Sequence, residues 1–124
     1  AIIDVDDFKI INDTYGHAVG DEVLKELAQL FKSSLRSNDY AFRIGGEEFV
    51  ILMSGTNLDN AYPSCERLCL KSVTDMDTLK GQHQITLSIG VGEVQADDTD
   101  DSLFARVDEL LYEAKQNGKN QVKC

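Results

Sequence analysis

Two rhythms of hydrophobic and polar residues run along the chain. Ile85-Thr86-Leu87-Ser88-Ile89-Gly90-Val91 alternates strictly, the period of a strand with one buried face, and predicts a strand over Ile85–Val91. Leu103, Phe104, Val107, Leu110, Leu111 and Ala114 recur at three- and four-residue spacing and predict an amphipathic helix over Ser102–Gln116, with Gly118 suited to its C′ position. Val23, Leu24, Leu27, Ala28, Phe31 and Leu35 predict a longer helix from about Val19 to Leu35. Phe8, Ile11 and Tyr15 predict a short one over Asp7–Tyr15, and Gly16 and Gly20 punctuate the bend between the two. A further helix is expected over Asp59–Val73, where Pro63 is tolerable only near the first turn.

Ile2–Val5 reads as a short buried strand, and Asn120–Lys123 as a last short one. Tyr40–Ile44 and Phe49–Met53 flank Gly45-Gly46-Glu47-Glu48, a hairpin signal. The second of these runs is apolar at every position and is expected to be a central strand covered on both faces. The element order is β-α-α-β-β-α-β-α-β. Interleaved helices with a hairpin predict an α+β sandwich, a mostly antiparallel central sheet flanked by helices, rather than a doubly wound sheet.

With 124 residues, one domain over 1–124 is the expectation, large enough for one core. A composition of 42% hydrophobic and 27% charged residues is that of a globular chain. Apolar runs such as Phe49–Met53 are too short to span a bilayer. The chain starts at Ala1 inside a strand, without a methionine, so a fragment truncated at its N-terminus is expected. Twelve Lys and Arg against 22 Asp and Glu give a net charge of −10. That charge weighs against nucleic acid and against contact with an anionic membrane. An anionic ligand still fits if a metal ion and a few placed cations offset the carboxylates. Cys65, Cys69 and Cys124, an odd count without ligand spacing, read as reduced thiols of a cytoplasmic domain.

Two segments carry more polar chemistry than a turn needs. Asp4-Val5-Asp6-Asp7 gathers three carboxylates at the end of a buried strand, and Gly45-Gly46-Glu47-Glu48-Phe49 puts two at a hairpin tip. Gathered carboxylates repel unless a cation neutralises them, and hard oxygen donors suit Mg²⁺ or Mn²⁺, which bind polyphosphates. The plain alternative is two acidic turns facing water. Asn12 and Asp21 surround a glycine-rich bend with an amide and a carboxylate that can read a base edge; helix capping by Asp21 and turn formation by Asn12 and Asp13 are the alternative.

Taken together, Asp4 to Asp21, the Gly45–Phe49 motif, Leu87–Val91 and Tyr112–Asn120 resemble the GGDEF domain of diguanylate cyclases, over almost the whole chain and in the same order. The resemblance implies a palm-like sheet shared with nucleotidyl cyclases. It implies that Asp4, the Val5 carbonyl and Glu47 hold divalent metal, Mg²⁺ or Mn²⁺. Glu48 supports the metal site or the attacking hydroxyl, Glu47 and Glu48 forming the catalytic pair. Asn12 and Asp21 bind guanine, Lys115 and Lys119 meet the terminal phosphates of GTP, and Phe8 and Lys9 lie beside the phosphates. Glu replaces the Asp of the family's name, keeping a carboxylate. Arg36-Ser37-Asn38-Asp39 resembles the family's RxxD product-inhibition site, with Arg67 as a second cation; a helix-terminal Arg followed by a turn Asp is the alternative.

The function implied is condensation of two GTP into cyclic di-GMP and two pyrophosphates by a homodimer. The alternative is a non-catalytic module that binds GTP or cyclic di-GMP. The family segment that precedes Ala1 is absent, and a further N-terminal sensory or regulatory domain, or a membrane anchor on the parent protein, is compatible with the pattern.

Overall fold

The computed structural model describes all residues, 1–124. The elements are β1 (Ile2–Val5), α1 (Phe8–Tyr15), α2 (His17–Ser34), β2 (Asp39–Gly45), β3 (Glu48–Met53), α3 (Leu58–Thr74), β4 (Leu87–Gly90), α4 (Asp100–Gln116) and β5 (Gln121–Lys123). They follow the expected order. The five strands form one sheet in the order β2-β3-β1-β4-β5, antiparallel except for the β4–β5 pair. The α+β class and the mostly antiparallel sheet are as the pattern predicts.

Alternation assigns each side chain of β1 to a face. Ile3 and Val5 point into the main core with Phe49 and Ile51 of β3 and Leu87 and Ile89 of β4. Against them lie Val23, Leu24, Leu27 and Phe31 of α2 and Cys65, Leu68 and Cys69 of α3. Phe31 meets Phe49 edge to face at a centroid distance of 5.1 Å. On the opposite face Ile2 packs with Val107 and Leu111 of α4, flanked by Val50 and Leu103.

Gly90 sets how closely α4 can sit on β4. A Cβ there would lie 2.6 Å from the backbone nitrogen of Leu111, so the helix rests directly on the strand. α4 also starts two residues earlier than its apolar pattern predicts, because Thr99 and Ser102 form a capping box.

Several expectations are corrected. The middle strand is β1, not β3, whose buried residues Phe49 and Ile51 lie on one face only. Leu52 is 49% exposed on the other face, beside Tyr40, its partner across the β2–β3 ladder. α4 packs mainly on β4, β5 and β1. α2 begins at His17 rather than Val19, because Gly16 at φ 91 allows a one-residue break between two helices. Pro63 lies in the second turn of α3, not the first; the carbonyl deprived of its helical donor belongs to exposed Asp59. β4 is shorter than Ile85–Val91, although both of those end residues stay buried beyond the paired segment.

Candidate active site

Asp4 stands near the end of β1 on the α4 side of the sheet, directly opposite Glu48 on β3 and Ser88 on β4. Like charges facing each other across a ladder destabilise it. Burial is the main cause that pushes the Asp4 carboxyl above its ordinary range, with the charges of Glu47 and Asp6 pushing the same way. Lys115, in the last turn of α4, pulls it back: its Nζ lies 2.8 Å from Asp4 Oδ2. Glu48 is also raised, first by burial and then by Asp4. Folding therefore confines negative charge at this strand end and answers it with one ammonium group. The plain reading of both segments as acidic turns facing water does not hold for Asp4, whose side chain is 8% exposed.

The three carboxylates of Asp4-Val5-Asp6-Asp7 do not act as one cluster. Asp6 is buried and saturated: Oδ1 accepts from the Ser88 hydroxyl (2.6 Å), and Oδ2 from the Thr86 hydroxyl (2.7 Å) and the Asn120 N–H (3.0 Å). It ties β1 to β4 and to the turn before β5. Asp7 turns outward, where its Oδ1 accepts from Lys119 Nζ at 2.6 Å. Asp4 alone is left beside the hairpin glutamates. Arg43 Nε donates to the Gly46 carbonyl at 2.8 Å and Val5 N–H to the Glu47 carbonyl at 3.1 Å, so the Gly45–Gly46 turn is fastened to the end of β1.

No three acidic, His or Cys side chains converge as a closed metal site. Asp4 lies opposite Glu48 and feels the charge of Glu47, with the Val5 main chain alongside. Magnesium is commonly held by one or two carboxylates plus substrate phosphates and waters, so this open, all-oxygen set fits Mg²⁺ or Mn²⁺ completed by a nucleotide. The mutual repulsion of Asp4 and Glu48 is the physical sign of a place where a cation is favourable.

Asn12 lies inside α1 and Asp21 a full turn inside α2, so neither turn formation nor helix capping accounts for them. The side chain of Asn12 occupies the space above Gly20: a Cβ at Gly20 would come within 3.0 Å of Asn12 Cγ and 3.2 Å of Phe8 Cζ. Gly20 thus lets the Asn12 amide lie against α2 beside Asp21. Phe8 itself is buried in the core, so its contribution next to a phosphate reduces to main-chain N–H groups at the start of α1. Lys9 is exposed.

A second cleft, of about 360 Å³, opens between α3 and the segment joining α2 to β2. Arg36, Asp39 and Arg67 line it, together with Lys71 and Thr56. Asp39 Oδ2 accepts from the Arg36 N–H (3.1 Å) and Nε (3.4 Å), which is the turn role. Its Oδ1 is buried with no partner, which the turn role does not explain. Arg36 also reaches the Thr56 hydroxyl, and Lys71 donates to Ser34 Oγ at 3.2 Å.

Sequence reasoning passed over Asp6 as an organiser, Gly20, Thr56 and Lys71. For Gly20 a signal existed, a glycine beside a candidate base-reading Asp. For the others the partners lie too far along the chain.

Residues 1–121 match the family model described as "Diguanylate cyclase, GGDEF domain", and the chain belongs to that family. It is 46% identical over 121 residues to diguanylate cyclase DgcM of Escherichia coli and 45% identical over 124 residues to diguanylate cyclase A of Treponema denticola. In each case the match covers 98% of this chain but only 29% and 33% of the relative, so the chain spans about a third of those proteins. Among solved structures, the active GGEEF domain of a diguanylate cyclase from Vibrio cholerae superposes with a TM-score of 0.91 at 36% identity, covering 98% of this chain and 78% of that one. The GGDEF domain of DgcB from Caulobacter crescentus, in complex with c-di-GMP, gives 0.92 at 28% identity, covering 98% and 74%.

Proposed function

We propose that this chain is the catalytic domain of a diguanylate cyclase, which condenses two GTP molecules into cyclic di-GMP with release of two pyrophosphates. The observation that carries the reading is the confined charge at the end of β1: Asp4 opposite Glu48, with Lys115 2.8 Å from Asp4, beside the Gly45–Gly46 turn. A purely structural domain has no need of a buried Asp opposed by a glutamate. The names of the relatives support the same reaction.

Asp4, Glu47 and the Val5 carbonyl are the groups that hold Mg²⁺ or Mn²⁺. When bound, the cation lowers the pKa of the attacking 3′-hydroxyl and neutralises charge developing on the α-phosphate. The chain's own residues do the rest. Asn12 and Asp21 fix the guanine, the carboxylate accepting from the base N–H groups. Lys115 and Lys119 offset the β- and γ-phosphates and the charge of departing pyrophosphate. Glu48, whose carboxyl is held above its ordinary range, supports the metal site or takes the proton of the attacking hydroxyl. The 3′-oxygen bonds to the α-phosphorus of the second GTP as the bond to pyrophosphate breaks, and the same step repeated closes the ring. One domain offers one guanine pocket, so two domains related by a two-fold axis supply the two nucleotides. The Arg36–Asp39–Arg67 cleft is the product-inhibition site, with Arg36 and Arg67 as its cations. A GTP substrate places the domain in the cytoplasm; no helix is long and apolar enough to cross a membrane. The longer relatives support further regulatory domains in the parent protein.

The test is incubation of the full-length parent protein with GTP and Mg²⁺. Cyclic di-GMP and pyrophosphate are expected, and chelation of the metal abolishes both. Arg36→Ala raises the cyclic di-GMP concentration needed for half-inhibition. Binding of GTP or cyclic di-GMP without turnover supports a non-catalytic module instead.

A further inference from the structure

The turn between α4 and β5 is gripped twice by the two adjacent carboxylates that follow β1. Asp6 takes the backbone N–H of Asn120, and Asp7 takes the ammonium of Lys119, 112 residues away. The first grip is structural. The second is harder to explain by stability, since Asp7 and Lys119 are each about two-fifths exposed and such a pair contributes little to folding. Asp7 also stands at the N-cap of α1, where an Asp normally bonds the first-turn N–H groups with its own side chain. It makes no such bond and holds a left-handed backbone, φ 54 and ψ 32. Lys119 is left-handed as well, at φ 62. A cap forgone, with the carboxylate turned instead to a lysine 112 residues away, points to a function for the contact.

We propose that Asp7 is a positioning residue for nucleotide binding, holding the Lys119 ammonium where the terminal phosphates of GTP arrive. The proposal rests on the assignment of Lys119 to those phosphates. Lys115 sits on Asp4, and Lys119, in the turn that follows α4, sits on Asp7, three residues beyond Asp4, so both ammonium groups stand over the end of β1. An ammonium has three N–H donors, so the bond to Asp7 leaves two for phosphate oxygens. Without Asp7 the lysine has four freely rotating side-chain bonds, and phosphate must order them on arrival. An arginine could organise itself through its planar fork; a lysine benefits from a partner.

The experiment uses the full-length parent protein with GTP and Mg²⁺, measuring KM and kcat by pyrophosphate release and the dissociation constant of a non-hydrolysable GTP analogue by calorimetry. Asp7→Asn keeps the size and tolerates the left-handed backbone; Asp7→Gly removes the side chain without strain and guards against a folding defect in the first variant. Both raise KM and the dissociation constant on the order of tenfold, with kcat nearly unchanged. Lys119→Met raises KM at least as much, and adding Asp7→Asn to it costs nothing more. An unchanged or lowered KM in both Asp7 variants, while Lys119→Met still weakens binding, overturns the role of Asp7 alone. An unaffected KM in Lys119→Met overturns the phosphate assignment and the proposal with it. Additive effects in the double variant show that Asp7 acts independently of Lys119, and also overturn it.

Discussion

At the scale of single residues, identity and neighbourhood assign different work to chemically equal groups. Asp4, Asp6 and Asp7 are three carboxylates within four positions, yet one faces Glu48 and Lys115, one is saturated by hydroxyl and backbone donors, and one holds a surface lysine. The cluster was legible in the sequence; its division was not, because the deciding partners of Asp6 and Asp7 lie 80 to 114 residues away. Gly20 illustrates the same limit. Its spacing marks a bend, but only the packed helices reveal that it makes room for the Asn12 amide. Gly20→Ala therefore displaces a flexible side chain rather than backbone, and the fold survives with a melting temperature close to wild type. Its expected signature is selective: GTP is favoured over ATP less strongly, by roughly tenfold, as expected when one base-reading hydrogen bond is lost. Competition between the two nucleotides measures it.

At the scale of elements, local pattern predicts what local forces decide. The apolar rhythm of α4, the Gly45–Gly46 hairpin and the C-terminal Gly118 were all legible, since each depends on neighbours a few residues apart. Strand order was not. Phe49–Met53 is apolar throughout, but its place next to the edge strand β2 exposes one face, and the middle position goes to β1. The α4–β4 contact is rigid because backbone meets backbone at Gly90, so Gly90→Ala loses about 3 kcal/mol or more in urea denaturation. The loop before α4 carries a pH-sensitive clip: Arg106 bonds both oxygens of Asp98, at 2.7 and 2.8 Å, and the Gln95 N–H and Ser102 hydroxyl add to it. These partners, Arg106 foremost, hold the Asp98 carboxyl well below its usual range. A depressed carboxylate stabilises the fold above the unfolded value of 3.8 and loses that contribution as pH falls through its folded value. Asp98→Asn accordingly removes part of the acid sensitivity of unfolding below about pH 4, which melting curves across pH 2 to 7 detect.

At the scale of the whole molecule, the sheet sorts the chemistry by face. Ile3, Val5, Phe49 and Ile51 build the core on one side. The same alternation leaves Asp4, Asp6 and Glu48 on the other, where α4 delivers Lys115 and the turn after it Lys119. The net charge of −10 opposes the approach of a second copy, so the proposed two-domain reaction is weak in dilute solution. Cyclic di-GMP formed per chain is expected to rise with protein concentration and to fall on dilution below the dimer range. Constant specific activity on dilution would rule out the paired arrangement while leaving the site itself intact.

The central test compares the products formed from GTP and Mg²⁺ by the protein and by its Asp4→Ala variant, both checked for native melting. One cyclic di-GMP and two pyrophosphates per two GTP consumed are expected in the first, and a loss of more than about 100-fold in the second. Undiminished cyclic di-GMP from folded Asp4→Ala would contradict the role assigned to Asp4.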